Sequence, residues 1–193
     1  MDVLTAINTR RSVRSYKEEV VPREVVEGLI ATASQAPSSS NSQPWSFVVI
    51  QDREYLRDLS RRIKKFDLEN IDRFTLFKSY LGWLNDEAYD VFYNTSTLII
   101  ICAKKDLGLS PTFPAEDCSL AAENLMLAAH AQGLGTCWIG FAREFFNLYP
   151  VKQELGITDN WLAVAPLIVG YPDQELKPLG KKPPEVKWIS RGR

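Results

Sequence analysis

Apolar positions recur along this chain in two rhythms. After Asp2, an acidic residue suited to a helix start, Val3, Leu4 and Ile7 fall at helical spacing. The pattern stops before the polar cluster Thr9-Arg10-Arg11-Ser12, which predicts a short first helix running into a basic loop. A second helix is signed by Pro22, acceptable in a first turn, and by the stripe Val25, Val26, Leu29, Ile30 and Ala33. It should end before Pro37, because the preceding Ala36 is biased away from helical geometry. Residues 46–51 carry the unbroken run Phe47, Val48, Val49 and Ile50 between Pro44 and Asp52, the pattern of a buried strand, and Thr97 to Lys104 reads the same way.

Between those strands, Tyr55 to Lys65 has the basic face of a solvated helix, and Phe66 to Tyr93 is rich in aromatics without a clean period. The strongest helix runs from about Asp117 to Gln132, apolar on nearly every side, with alanines that permit close packing and Gly133 placed to cap it. Thr136 to Ile139 and Leu162 to Val169 are further strands, and Pro166 puts the last one at a sheet edge or at a bulge. The excursions between strands are too long for a pure doubly wound sheet. An α+β fold, a sheet flanked by helices, fits better.

Composition narrows the class. With 193 residues the chain buries about 70% of its open surface on folding, enough for one core, and a single domain over residues 1–193 is expected. The 23 Lys+Arg balance 24 Asp+Glu, which argues against a nucleic-acid binder held by phosphate contacts. No apolar run approaches the length of a membrane span and the N-terminus shows no apolar signal core, so a cytoplasmic location is expected. Cys102, Cys118 and Cys137 have no CxxC spacing and read as buried small hydrophobes rather than disulfide, zinc or iron–sulfur ligands.

Few catalytic machines remain. His130 is the only histidine, which leaves Ser-His-Asp, Cys-His and multi-ligand metal sites without their parts; a structural or surface role is expected for it. The neighbouring pairs Glu18-Glu19 and Glu116-Asp117 read as solvation and helix N-terminal charge. Gly133-Leu134-Gly135 follows a helix and precedes a strand, the wrong order for a dinucleotide turn. Polar material gathers instead in three loops. Arg10-Arg11-Ser12-Val13-Arg14 offers guanidinium forks and a hydroxyl suited to a phosphate and a flat anionic heterocycle, or simply a solvated patch. Residues 36–45, Ala-Pro-Ser-Ser-Ser-Asn-Ser-Gln-Pro-Trp, supply uncharged donors and acceptors on a course fixed by two prolines. Lys181-Lys182-Pro183-Pro184 could close on a phosphate or remain a basic tail.

Taken together, Thr9-Arg10-Arg11-Ser12-Val13-Arg14, the 36–45 loop, the Ala-rich helix leading to Gly133-Leu134-Gly135-Thr136-Cys137-Trp138-Ile139-Gly140, and Gly170-Tyr171-Pro172 resemble, in order and spacing, the FMN-dependent nitroreductase family. The resemblance implies an α+β sandwich with a central, mostly antiparallel sheet flanked by helices, forming an intertwined homodimer that holds two FMN molecules at its interface. By the same resemblance, Arg10, Arg11 and Ser12 match positions that contact the flavin phosphate and ribityl chain, and Arg14 a basic position near the N1/C2 carbonyl edge. Pro37, Ser38, Ser39 and Asn41 match positions contributed by the other subunit, with Gln43 in the same motif. Gly140 matches the turn whose amide approaches flavin N5 and O4, with Trp138 and Ile139 flanking it, and Lys181 and Lys182 match basic residues that complete the phosphate site. No side chain is assigned a catalytic role and no metal is implied.

The implied activity is reduction of electron-poor acceptors, nitroaromatics or quinones, by NADH or NADPH in a ping-pong cycle, with no membrane or nucleic-acid partner. Other flavin chemistry on the same scaffold (reductive dehalogenation, enone reduction, flavin fragmentation) and an FMN store or sensor are the alternatives. Two features depart from the family pattern. Ile139 stands where some members carry glutamate, and the 66–93 stretch has no match to the substrate-side loop of larger members. Its Phe74, Phe77, Tyr80, Trp83, Tyr89, Phe92 and Tyr93 are either an aromatic lid over the flavin or ordinary core and interface aromatics.

Overall fold

A four-stranded antiparallel sheet organises the protein, in a computed structural model that describes residues 1–73, 75–105, 113–174 and 180–190. Its strands β1 (Trp45–Ile50), β2 (Thr97–Lys104), β3 (Gly135–Trp138) and β4 (Trp161–Gly170) lie in the order β1-β2-β4-β3. Seven of the eight β2 residues are buried, because both faces of the sheet are covered. Successive side chains of a strand point to opposite faces. Leu98, Ile100 and Cys102 therefore join one core with Leu56, Leu59, Ile63, Phe92, Phe145 and Phe146, while Ile99, Ile101 and Ala103 join the other with Leu29, Ala121, Ala122 and Leu125. That double burial is why the strand reads as an unbroken apolar run.

The second core is closed by α2 (Arg23–Ala33) and α5 (Phe113–Ala131), which pack against one another and on the sheet. The alanines of α5 let it approach closely, and Gly133 follows it at φ +79°, the left-handed conformation that ends a helix. The first core is closed by α3 (Arg53–Glu69) and by two short helices, α6 (Ala142–Phe146) and α7 (Tyr149–Glu154), which at five and six residues leave too little periodicity to be read from sequence. Pro166 is not at an edge: β4 lies between β2 and β3, and β4 carries an extra residue, Val164, opposite the Ile101–Cys102 step of β2, close to the Ile100–Pro166 pair. The bulge alternative holds and the edge alternative does not.

The first helix, α1 (Val3–Thr9), is capped by the Asp2 carboxylate, which accepts from Thr5 N–H at 3.0 Å. Beyond it, residues 12–17 run as a strap along the β3–β4 end of the sheet. Val13 N–H donates to Thr136 O (2.9 Å), Lys17 N–H to Tyr171 O (2.9 Å) and Asp173 N–H to Ser15 O (3.0 Å), and the buried Tyr16 hydroxyl donates to Val13 O (2.8 Å). Two glycines permit this contact. A Cβ at Gly135 would stand 2.5 Å from a Val13 methyl, and one at Gly170 2.8 Å from the Tyr16 ring. Gly135→Ala should lower stability by about 2 kcal/mol through overpacking, read from the urea midpoint, and should accelerate hydrogen exchange at the Val13 amide. An unchanged midpoint with Val13 still protected would show that the strap has slack.

On α3, the residues facing the core include Ser60, Lys64 and Asp67. Lys64 Nζ donates to Asp86 O and Tyr89 O, both at 2.8 Å, and Ser60 Oγ accepts from Val91 N–H at 3.0 Å, so α3 pins the segment that leads to Tyr93. Asp67 is fully buried and neither carboxylate oxygen has a hydrogen-bond partner; burial pushes its carboxyl up to about 7. Since the folded state holds this proton more tightly than the unfolded chain does, the stability it allows is complete below the ordinary value of 3.8 and is lost as pH rises through about 7. Asp67→Asn should therefore stabilise the fold at about pH 8 by on the order of 2 kcal/mol and leave it little changed at about pH 4. Urea midpoints at both pH values test this, and an equal change at the two would contradict it.

Candidate active site

The strap delivers its basic residues to two places. Arg10 caps α1, its N–H donating to Ala6 O, and its guanidinium pairs with Glu123 of α5 at 3.5 Å. Arg11 folds back on its own turn, Nη1 donating to Asn8 O (2.9 Å) and Arg10 O (2.6 Å), while its Nε is buried without a hydrogen-bond partner. An unsatisfied guanidinium N–H beside a second arginine is a site short of an acceptor. Ser12 bridges to Thr136 with its side chain close to the Cys137 thiol, and Arg14, two residues on, reaches a different spot.

That spot is a cavity of about 320 Å³ lined by Arg14, Cys137, Trp138, Ile139 and Gly140 together with Phe77, Tyr80, Trp83, Val91, Tyr93 and Phe141. The strand β3 and the turn after it thus place Trp138, Ile139 and Gly140 in one cavity with Arg14. A Cβ at Gly140 would meet nothing within 4 Å, so the floor of the cavity is open at that backbone. Burial raises the Cys137 thiol, with Arg14 and the Ser12 hydroxyl pulling partly the other way, and burial raises the Tyr89 phenol. Both stay neutral near pH 7, and Arg14 is the charged group among the lining residues.

The aromatic stretch divides between the two roles open to it. Phe92 is core. Phe77 and Tyr80, on the 3-10 turns over Thr75–Tyr80, and Trp83 on α4 (Leu81–Leu84) stand over the cavity. Their rings form a chain with neighbours: Phe77–Phe141 at 4.7 Å between centroids, Tyr80–Phe141 at 5.4 Å, Tyr80–Trp83 at 5.5 Å, Trp83–Tyr89 at 5.6 Å and Tyr89–Tyr93 at 5.9 Å. Phe74 lies outside the described residues. Tyr93 enters the lining on a strained backbone, φ +54°, followed by Asn94 at +57°. Asp90 holds that turn, its two oxygens accepting from the amides of Phe92 and Asn94 at 2.9 Å each.

The serine-rich loop is equally specified. Ser40, Asn41 and Gln43 all have positive φ (52°, 53° and 46°), held by Asn41 N–H to Ser38 O and by Gln43 N–H to Ser38 Oγ, both 3.0 Å. Asp117, in the first turns of α5 and nearly buried, accepts the Ser39 N–H with both oxygens (3.2 and 3.1 Å). Sequence reasoning read Asp117 as solvation and helix N-terminal charge; it is instead buried, its partner lies 78 residues away, and nothing local marks the contact. Neither Pro37, Ser38, Ser39, Asn41 and Gln43 nor the exposed Lys181 and Lys182 line the Arg14 cavity within one chain.

Comparison with known proteins settles the family. The model of the Nitroreductase family matches residues 7–171. The chain belongs to the nitroreductase family. Nitroreductase relatives include an Archaeoglobus fulgidus protein, named by assignment as NADH dehydrogenase/NAD(P)H nitroreductase, which is 31% identical over 90% of this chain and 87% of its own. An iodotyrosine deiodinase of Haliscomenobacter hydrossis is 28% identical over 65% of this chain and 60% of its own. Among solved structures, a nitroreductase of Bacteroides fragilis with bound FMN superposes with a TM-score of 0.84 at 25% identity, covering 98% of this chain and all of the other. The nitroreductase sandwich is therefore the fold, and the chain is an enzyme of the nitroreductase type. Among the described residues no helix is long and apolar enough to cross a membrane, and no cluster of metal-binding side chains occurs.

Proposed function

We propose that this nitroreductase is an FMN-dependent oxidoreductase that uses NADH or NADPH to reduce electron-poor acceptors such as nitroaromatics and quinones, acting as an intertwined homodimer. The observation that carries the reading is the pairing of a mostly apolar, aromatic-lined cavity with Arg14 at its wall and a glycine backbone open at its floor. The unpartnered Arg11 Nε beside Arg10 fits the phosphate end of the same molecule. Bound FMN would supply the two-electron redox chemistry between nicotinamide and acceptor, and a single cavity that admits the two in turn fits ping-pong kinetics.

The chain's own residues bind, orient and exclude water. Arg10, Arg11 and Ser12 hold the phosphate and ribityl chain, with Lys181 and Lys182 completing the phosphate site. Arg14 puts fixed positive charge at the N1/C2 edge, where reduction deposits negative charge, and so raises the potential toward the range a nicotinamide reaches. Trp138 and Ile139 flank the ring, and Gly140 offers backbone where any side chain would stand in the way. The aromatic wall of Phe77, Tyr80 and Trp83 gives planar substrates a surface to stack on. Pro37, Ser38, Ser39, Asn41 and Gln43 reach the flavin from the partner subunit.

Surface chemistry supports the dimer. Trp188 and Ile189 of the extended tail are 90% and 82% exposed, Val3, Leu4 and Ile7 form an uncovered apolar face on α1, and the outer edge of β1 has no partner strand among the described residues. An isolated molecule would expose all three to solvent and aggregation, and a second copy covers them. Reductive dehalogenation is the second reading, supported by the deiodinase relative; it keeps the flavin and changes only the acceptor.

Purified protein mixed with FMN should retain one flavin per chain with its visible absorption and bleach anaerobically with NADH or NADPH; protein that takes up no flavin would contradict the proposal. Arg14→Ala should lower the flavin potential and slow bleaching by about tenfold or more, and an unchanged potential would remove the role given to Arg14.

A further inference from the structure

The one histidine stands outside the cavity, on the last turns of α5, and its contacts tie it to the arginine turn. His130 Nε2 lies 2.8 Å from Thr9 Oγ1, on the final residue of α1. The Thr9 hydroxyl proton is already committed to Thr5 O at 2.6 Å. Oγ1 can therefore only accept from His130, so Nε2 carries a hydrogen and Nδ1 is the position where the titrating proton comes and goes. The next two residues after Thr9 are Arg10 and Arg11. The charged groups acting on the imidazole are the two guanidiniums of that turn, and Arg10 is itself paired at 3.5 Å with Glu123, two turns earlier on α5.

We propose that His130 positions the Arg10-Arg11 turn through Thr9 and couples the binding of a phosphate there to protonation of its imidazole. The inference rests on the FMN reading above and adds a residue that neither the cavity nor the sequence motifs include. The physical chain is short. Burial and the repulsion of Arg10 and Arg11 hold the His130 pKa below its ordinary value in the free protein. Arg11 Nε has no hydrogen-bond partner, and Glu123 pairs with Arg10 alone. A phosphate placed on Arg10 and Arg11 neutralises the charge that drives the proton off the imidazole, so the His130 pKa rises on binding. By linkage, a group whose pKa is higher in the complex than in the free protein tightens binding below its free-state pKa, and that gain is lost as pH rises through its value in the complex.

Two measurements test this. Because His130 is the only histidine, its imidazole Cε1–H resonance can be followed without ambiguity in the untagged wild-type dimer, and its pKa should be higher with FMN bound than without. FMN dissociation constants are then compared for wild type and His130→Gln, which keeps an N–H for Thr9 but cannot take a charge. The ratio of the variant's Kd to the wild type's should grow about threefold or more between about pH 8 and about pH 5.5. The titration of the FMN phosphate itself, near pH 6, is common to both proteins and cancels in the ratio. With riboflavin, which lacks the phosphate, the ratio should stay flat. An imidazole pKa unmoved by FMN, or a ratio that is constant or changes equally with riboflavin, would overturn the inference. Wild-type protein that binds no FMN at any pH would instead overturn the flavin reading on which it rests.

Discussion

The contact on which the site depends is the one between a strap of backbone and two glycines. Gly135 on β3 and Gly170 at the end of β4 leave out the side chains that would collide with Val13 and Tyr16, and the space lets residues 12–17 lie down as an irregular extra strand. Once Val13 is bonded to Thr136 and Tyr16 is buried, the residues on either side have no choice of place. Arg10 and Arg11 fall at the end of α1 against α5, and Arg14 falls at the cavity that β3 and the turn after it open. The cationic groups are thus set by backbone packing rather than by salt bridges, which at a solvated surface hold a side chain only weakly.

The rest of the site is held by polar side chains that fix strained turns. Asp90 bonds two amides to keep Tyr93 in a left-handed conformation, and Asp117 takes the Ser39 amide so that a loop with three positive-φ residues keeps its shape. Such conformations cost about 1 kcal/mol or more each and persist where surrounding bonds over-determine them. Here they carry one face of the cavity and the loop that a second subunit would bring. Lys64 and Ser60 extend the same logic from α3, since they pin the chain from Asp86 to Val91 just before the strained turn.

How much of this was legible in the sequence follows from the range of each interaction. The strands and long helices were readable because periodicity is local: β2 was bounded at Thr97 and Lys104, and α2, α3 and α5 were found with ends displaced by a few residues. The motif around Trp138-Ile139-Gly140 and Arg14 was readable too, by likeness, and its physical reason became visible only when Gly135 met Val13 in space. The aromatic stretch was unreadable as structure because it folds into 3-10 turns and a four-residue helix, which have no period to detect. The Asp117 contact, the left-handed turn at Tyr93 and the Thr9–His130 pair were missed for another reason. Each acts through a bond to a residue distant in sequence or through a backbone angle, and residue type alone announces neither.

The central claim is that one flavin is held by the arginine strap of one chain and the serine loop of its mate. It can be put to a complementation measurement. A chain with Arg10, Arg11 and Arg14 changed to alanine is paired with a chain carrying Ser38→Ala, Ser39→Ala and Asn41→Gly, and flavin content is determined for each homodimer and for the purified mixed dimer. Both homodimers should be empty while the mixed dimer, in which one site regains both intact halves, holds a single FMN. A mixed dimer as empty as its parents, or a serine-loop homodimer that binds flavin like the wild type, would contradict a site shared between subunits.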